Sequence, residues 1–485
     1  MRTNKTNISE RAGLRLNILS DDQIKEIHSR SLEILSRTGV YVESDEAIEM
    51  LADAGCRVQD GIVKFPPGLV EWALDAAPSQ FLFYNRTGDY ALNVGGHNTY
   101  FGMGPTLLYM LDPDTGERRK FVKSDTEKAA RVADALENIE WVMGLGTISD
   151  CDPKDTEVHE FDAMVRNTTK PMITWAESLE GLRSIIKMAE AVRGGKAALQ
   201  DAPFIASYSE PISPFVQNNI AVEKLLITAD YGIPTVHTPI PQAGASMPTT
   251  LAGTLVGINA ENLASVTISQ VRKAGAPIII GGVIGTMDML EAQLAYGSPE
   301  MQLMLAAYMD MAHYYEIPTW GTGGCTDSKL PDQQAAIEAA QSVLYSALSG
   351  ANLVHDPGYM ASGTQGSLDM LVMVDEIARM AKYITRGMRV NDETLALDAL
   401  NQVGPGGEFL TSQHTFKNFR EQLYFPTLMD RQPHDKWVEA GAKTMGERIK
   451  ERYRHILETH EVEPLSDEAL RVIEETVPQQ QKAAA

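Results

Sequence analysis

The amino-acid sequence predicts an α/β fold: a (β/α)8 TIM barrel with an N-terminal α+β cap and a C-terminal helical extension. Two observations carry that reading. Eight short β-prone runs recur through the middle of the chain, most of them followed by a helical pattern, and alternating β and α units imply a parallel sheet. No GxGxxG or GxxxxGK[ST] motif follows any early run, which counts against the rival doubly wound open sheet. The boundaries read as a cap over 1–96, a barrel over 97–390 that carries the site, and a Gly-rich and helical segment over 391–485.

In the cap, the first 20 residues are polar and read as extended. LSDDQIKEIHSRSLEILSRTG reads as a helix, with Ser20 as N-cap, apolar residues at helical spacing and Gly39 as the stop. A second helix covers roughly 44–54, and Asp60-Gly61 between β-prone flanks predicts a hairpin. The eight β-prone runs are 98–104, 139–147, 171–177, 203–210, 233–239, 276–285, 317–324 and 351–358. Helices are predicted near 124–136, 157–167, 179–193, 215–230, 257–274, 298–315, 333–348 and 367–384. TLLYMLDPDTGERRKFV reads as a hairpin inserted before the first of these helices. The total fits the usual barrel size of roughly 250 residues. Beyond 391, the Gly-rich NQVGPGGEFLTSQHTF precedes charged helical stretches, and the closing QQQKAAA reads as disordered.

Composition narrows the function classes. The formal charge of −23 disfavours nucleic acid or an anionic membrane surface as partner, since both need a basic face. No segment approaches the roughly 18 consecutive apolar residues of a membrane span. The N-terminus has no apolar stretch of the secretory kind, and the 3 cysteines show no CxxC spacing, so a cytoplasmic protein without a disulfide framework is expected.

In a barrel the active site lies at the C-terminal ends of the strands. Residues at or just past those ends include Phe101, Thr147, Trp175, Tyr208, Glu210, His237, Gln242, Trp320, His355 and Tyr359. Aromatic residues make up only 7% of the chain, yet Trp175 and Trp320, two of its 5 tryptophans, fall there. A group of aromatic faces suits a cation, most of all a quaternary ammonium, which cannot donate hydrogen bonds. Core packing is the plain alternative for each ring taken singly. HExxH, GxSxG and a strand-end lysine are all missing, which disfavours zinc, serine-hydrolase and Schiff-base chemistry. Cys325 reads as buried filler, Glu210 as either a base or turn chemistry, and GPGGEF as a turn before an anion site.

Three blocks carry a resemblance: LSDDQIKEIHSRSLEILSRTGV, ANLVHDPGYMASGTQGSLDMLVMVDEIARM and VGPGGEFLTSQHT with its charged tail. Together they resemble the trimethylamine methyltransferase family over nearly the whole chain. The sequence holds only standard residues, so it is similar to the members that lack pyrrolysine. That resemblance implies a corrinoid-dependent enzyme of one-carbon metabolism moving an N-methyl group from a quaternary amine. Glycine betaine is the first choice; proline betaine, carnitine and γ-butyrobetaine are others. The acceptor would be the Co(I) corrinoid (cobalamin) of a partner protein, the product a tertiary amine, and the chain a homo-oligomer. On this reading Phe101, Trp175, Tyr208, Trp320 and Tyr359 form the cage or wall. His237, His355 and Gln242 bind the substrate carboxylate; His355 orients it, and no acid, base or metal is required. The alternatives are a barrel lyase or isomerase with His355 or Glu210 as base, and a non-catalytic binder of quaternary amines. Strand alternation further places Leu353 and His355 on one side and Val354 and Asp356 on the other, with Asp356-Pro357-Gly358 as a turn.

Overall fold

The computed structural model describes residues 11–12 and 14–478. Its centre is a ring of parallel strands: β1 (Tyr100–Phe101), β2 (141–142), β3 (Met172–Trp175), β4 (Ile205–Ser209), β5 (Thr235–His237), β6 (Ile278–Gly281), β7 (Thr319–Thr322) and β8 (Leu353–His355). Seven pair as one parallel sheet in which β8 lies beside β1. The bridges Gly102–Trp141 and Val142–Met172 insert β2 between β1 and β3 and close the ring. This is the (β/α)8 barrel that the alternating runs predict.

Inward residues alternate with outward ones along each strand. Trp141, Ile173, Ala206, Tyr208, Val236, Ile279, Trp320 and Leu353 form one inner cluster, separate from the larger core between strands and helices. Each large side chain buried there contributes about 1.5–3 kcal/mol. A hairpin of Gln80–Tyr84 and Ala91–Gly95 adds Phe83, Leu92 and Val94 to this cluster. The Tyr84 N–H donates to the Pro203 carbonyl (2.9 Å) just ahead of β4, so the hairpin stoppers the amino-terminal end of the barrel.

The helices around the ring are α1 (Lys123–Ala135), α2 (Thr156–Asn167), α3 (Leu179–Arg193), α4 (Asn219–Tyr231), α5 (Leu251–Arg272), α6 (Pro299–Tyr314), α7 (Gln333–Ser349) and α8 (Leu368–Thr385). Ser178, Asn218, Ser298, Asp332 and Ser367 cap the starts of α3, α4, α6, α7 and α8 by accepting a backbone N–H. Two helices start elsewhere than the periodicity predicts. Residues 216–217 pair with Tyr41 and Val42 of the cap, which delays α4 to Asn219. In α5 the helix begins at Leu251, ahead of the predicted start at 257, because Gly253 and the preceding threonines disguise its first turn.

Loops beyond the strand ends build the cover of the mouth. Tyr109–Leu111 and Arg118–Lys120 form the predicted inserted hairpin, and with Tyr359–Met360 and Gln365–Gly366 they make one small sheet. Gln242–Ala243, Gly285–Asp288 and Gln293–Leu294 make another. The hairpin at Asp60-Gly61 forms as expected, both residues at positive φ. The closing QQQKAAA lies outside the described residues, as does most of the polar start.

Candidate functional site

Four aromatic rings meet at the carboxyl ends of four strands. Trp175 on β3 lies 5.4 Å from Tyr208 on β4, and Tyr208 lies 5.4 Å from Trp320 on β7 (ring centroids). The Trp320 indole also rests on the His355 imidazole of β8 at 4.5 Å and on Trp141 at 5.3 Å. Trp141 and Trp320 are fully buried and form the floor, whereas Trp175 keeps partial exposure. Gly102 makes room for the floor, because a Cβ there would fall onto the Trp141 ring. The Nε1 groups of Trp175 and Trp320 are buried without a hydrogen-bond partner.

His355 and Asp356 both serve this mouth. The His355 Nδ1 donates to the Gly321 carbonyl at 2.7 Å, which leaves Nε2 as a lone-pair nitrogen. That Nε2 lies 3.4 Å from Asp356 Oδ1. Burial pushes the imidazole down to about 4, so it is neutral. Asp356 is completely buried and neither carboxyl oxygen has a hydrogen-bond partner. Burial pushes its pKa well above the usual carboxylate range; the Tyr296 hydroxyl pulls it back in part, and the charge of Glu210 adds a smaller push upward. Its backbone sits at φ +88°, in the left-handed region that a non-glycine residue occupies at a cost of about 1–3 kcal/mol. This corrects the expectation from strand alternation. The left-handed turn at Asp356 ends the alternation, so its carboxyl comes round to the imidazole of its neighbour. Gly104 leaves the space: a Cβ there would collide with Asp356 Oδ1 and the Tyr359 ring.

Two further buried acids lie at this end of the barrel. Glu210 accepts from the Tyr208 hydroxyl at 2.7 Å, and burial raises its pKa. Glu160 of α2 is raised well above its ordinary value by burial and then by Glu157, and its Oε1 has no partner. The nearby cation, Lys224 of α4, is spent on backbone: its Nζ donates to the Ala176 carbonyl at 2.7 Å and lies 5.0 Å from the Trp175 ring centre. Burial brings Lys224 down to about 8.

The structure brings Trp175, Tyr208, Trp320 and His355 together, and sets Tyr359 beside Asp356 with its hydroxyl accepting from the Thr106 N–H at 2.9 Å. It does not bring Phe101 or His237 into the mouth. Phe101 faces outward from β1 into the strand–helix core, with the Lys382 Nζ of α8 5.5 Å from its ring centre. His237 also faces outward, its Nε2 bonded to Gln217 Oε1 at 2.8 Å, and burial takes it down to about 3. Position at a strand end does not fix direction, and for both residues the alternation turns the side chain away. Gln242 lies in the cover, in the strand that pairs with Gly285. Strand-end position also passed over Asp356, Glu160 and Tyr296. Asp356 was disguised by a turn-like Asp-Pro-Gly, and the other two arrive from α2 and from the loop before α6.

A parallel (β/α)8 barrel with its rings and unpaired acids gathered at the carboxyl ends of the strands has the design of a barrel enzyme. The family model for trimethylamine methyltransferase (MTTB) matches residues 2–485, and the chain belongs to that family. Trimethylamine methyltransferase MttB of Desulfitobacterium hafniense is 35% identical over 466 residues, 94% of this chain and 93% of the relative. Glycine betaine methyltransferase of Desulfitobacterium hafniense (strain Y51) is 31% identical over 449 residues, 91% of this chain and 92% of the relative. Among solved structures, the Methanosarcina barkeri monomethylamine methyltransferase (MtmB) aligns with a TM-score of 0.47 at 13% identity, covering 96% of this chain and 94% of that one. Family membership and the two sequence relatives make the chain a methyltransferase. No helix among the described residues is long and apolar enough to cross a membrane.

Proposed function

We propose that this chain takes a methyl group from a quaternary amine, with glycine betaine as first candidate, and passes it to the Co(I) corrinoid of a partner protein. The observation that supports this best is the aromatic wall of Trp175, Tyr208 and Trp320 at the barrel mouth that also holds the buried Asp356 carboxyl, both oxygens of which lack a hydrogen-bond partner. Ring faces and an unneutralised carboxyl both attract a fixed positive charge, and the attraction strengthens with desolvation. The reduced corrinoid would supply the nucleophile. A quaternary nitrogen leaves as a neutral amine, so no proton has to be delivered to it. The chain's own task is to hold the ammonium, aim one methyl outward and exclude water. The unpaired indole N–H groups of Trp175 and Trp320 are neutral donors suited to a substrate carboxylate.

The rim of the mouth supports docking of a protein acceptor. Leu108, Ile212, Met289, Leu290 and Leu330 sit exposed on four different loops that follow barrel strands, Leu290 at 93%. Such a ring of apolar tips around one opening favours a protein partner over bulk solvent. The reading is tested by mixing the chain with a Co(I) corrinoid protein and quaternary amines and following methyl-Co(III) absorbance. Methylation by trimethylamine alone would overturn it.

A further inference from the structure

We propose that the cationic head of the substrate binds at Asp356 in exchange for the one carboxyl proton that Asp356 holds, facing His355, when the site is empty. The inference rests on the quaternary-amine reading and adds to it the group that meets the charge.

The geometry carries it. With Nδ1 committed to the Gly321 carbonyl, His355 presents only a lone pair to Asp356 Oδ1, 3.4 Å away. Two acceptors facing each other in a buried site need a proton, and neutral His355 leaves it on the carboxyl. The groups facing Asp356 are His355 on β8, Tyr296 ahead of α6, Cys325 past β7, Tyr359 past β8, Tyr208 on β4 and Glu210 just past it. None is a cation, and Glu210 repels a second negative charge. Asp356 therefore has every reason to stay protonated in the empty site and none once a fixed cation arrives.

The exchange keeps the buried charge balanced. Before binding the site holds a neutral carboxyl; afterwards it holds a carboxylate against an ammonium, and the proton goes to solvent. A buried charge without a partner, the costly state, is never populated. A quaternary nitrogen suits this role because it satisfies the carboxylate by charge without needing the hydrogen-bond geometry that Asp356 lacks. The strained φ at Asp356 then has a use, since it turns the carboxyl towards the rings that hold the rest of the head.

The test is titration calorimetry of the full chain with glycine betaine and the other betaines, in two buffers of different ionisation enthalpy, from about pH 5.5 to about pH 8.5. The expected result is release of one proton per amine bound at the acidic end. Affinity should tighten up to about tenfold per pH unit, then flatten above the titration of the carboxyl. Asp356→Asn is isosteric and tolerates the left-handed backbone; it should bind more weakly and lose the slope. Binding of 3,3-dimethylbutanoate, the uncharged-head isostere of glycine betaine, should release no proton. Affinity that is flat with pH in the wild type, or an Asn variant with the wild-type slope, overturns the inference. If the wild type binds and demethylates an amine with no proton released, only this inference falls. If it binds no quaternary amine at any pH, the functional reading falls with it.

Discussion

The Trp320 indole and the His355 imidazole lie one against the other, centroids 4.5 Å apart and planes inclined by 35°. They are locked from behind, because His355 bonds to the carbonyl of Gly321, the residue next to Trp320. Adjacent strands β7 and β8 thus present one composite surface, whose underside continues into Trp141 and the barrel interior. Trp320 is therefore as much core as wall.

That double role separates two substitutions. Trp320→Ala removes a fully buried indole and should cost about 3–5 kcal/mol of stability, read as a lower denaturation midpoint. Trp175→Leu, at a partly exposed position, should leave the midpoint nearly unchanged while raising KM for the amine several-fold. An unaltered KM in Trp175→Leu would remove that ring from the wall.

Glu210 distinguishes methyl transfer from base catalysis. If no proton moves in the chemical step, Glu210→Gln should change kcat by less than about tenfold, since a general base is worth about 10²–10⁴. A loss in that larger range would favour the lyase or isomerase alternative.

Acid stability follows from the buried histidines. His355 and His237 are held down by burial to about 4 and about 3, against 6.5 for an ordinary imidazole. Below about 6.5 the unfolded chain takes up protons that the folded chain refuses, so stability falls as the pH drops from there towards 4. Asp356 acts in the opposite sense: its raised pKa contributes stability that is lost as the pH rises through its folded value. His355→Gln should therefore show a shallower loss of urea midpoint between about pH 7 and about pH 5 than the wild type. Identical slopes would mean that His355 is not buried neutral.

The cover has a testable latch. The Tyr359 hydroxyl accepts from the Thr106 N–H and joins the loop after β8 to the loop after β1. Tyr359→Phe removes that hydrogen bond at an exposed residue, at a cost of about 0.5–1.5 kcal/mol, and amide exchange at Thr106 should speed up. Exchange that stays slow would show another partner for the amide.

The eight strands were legible in the sequence because their apolar runs are short and bounded by glycines and helix caps such as Asn218 and Ser367. β2 was legible as a run, although it pairs only through two bridges. The ring set of Trp175, Tyr208 and Trp320 was legible from position, because all three alternate inward. Phe101 and His237 were not separable from them, since direction depends on which residue of the strand starts the alternation. Asp356 was hidden more deeply. Asp-Pro-Gly reads as a turn, and no local pattern reveals that a non-glycine residue there takes φ +88° and swings its carboxyl beside His355. Glu160 and Tyr296 reach the mouth from outside the strands, where tertiary packing alone decides.

Methyl transfer from a quaternary amine is read by incubating the purified chain with a Co(I) corrinoid protein and a panel of quaternary and tertiary amines, recording the visible spectrum. With a quaternary amine the Co(I) band should fall and methyl-Co(III) grow, with one equivalent of the tertiary amine released. No spectral change with any quaternary amine, while trimethylamine is demethylated, would contradict it.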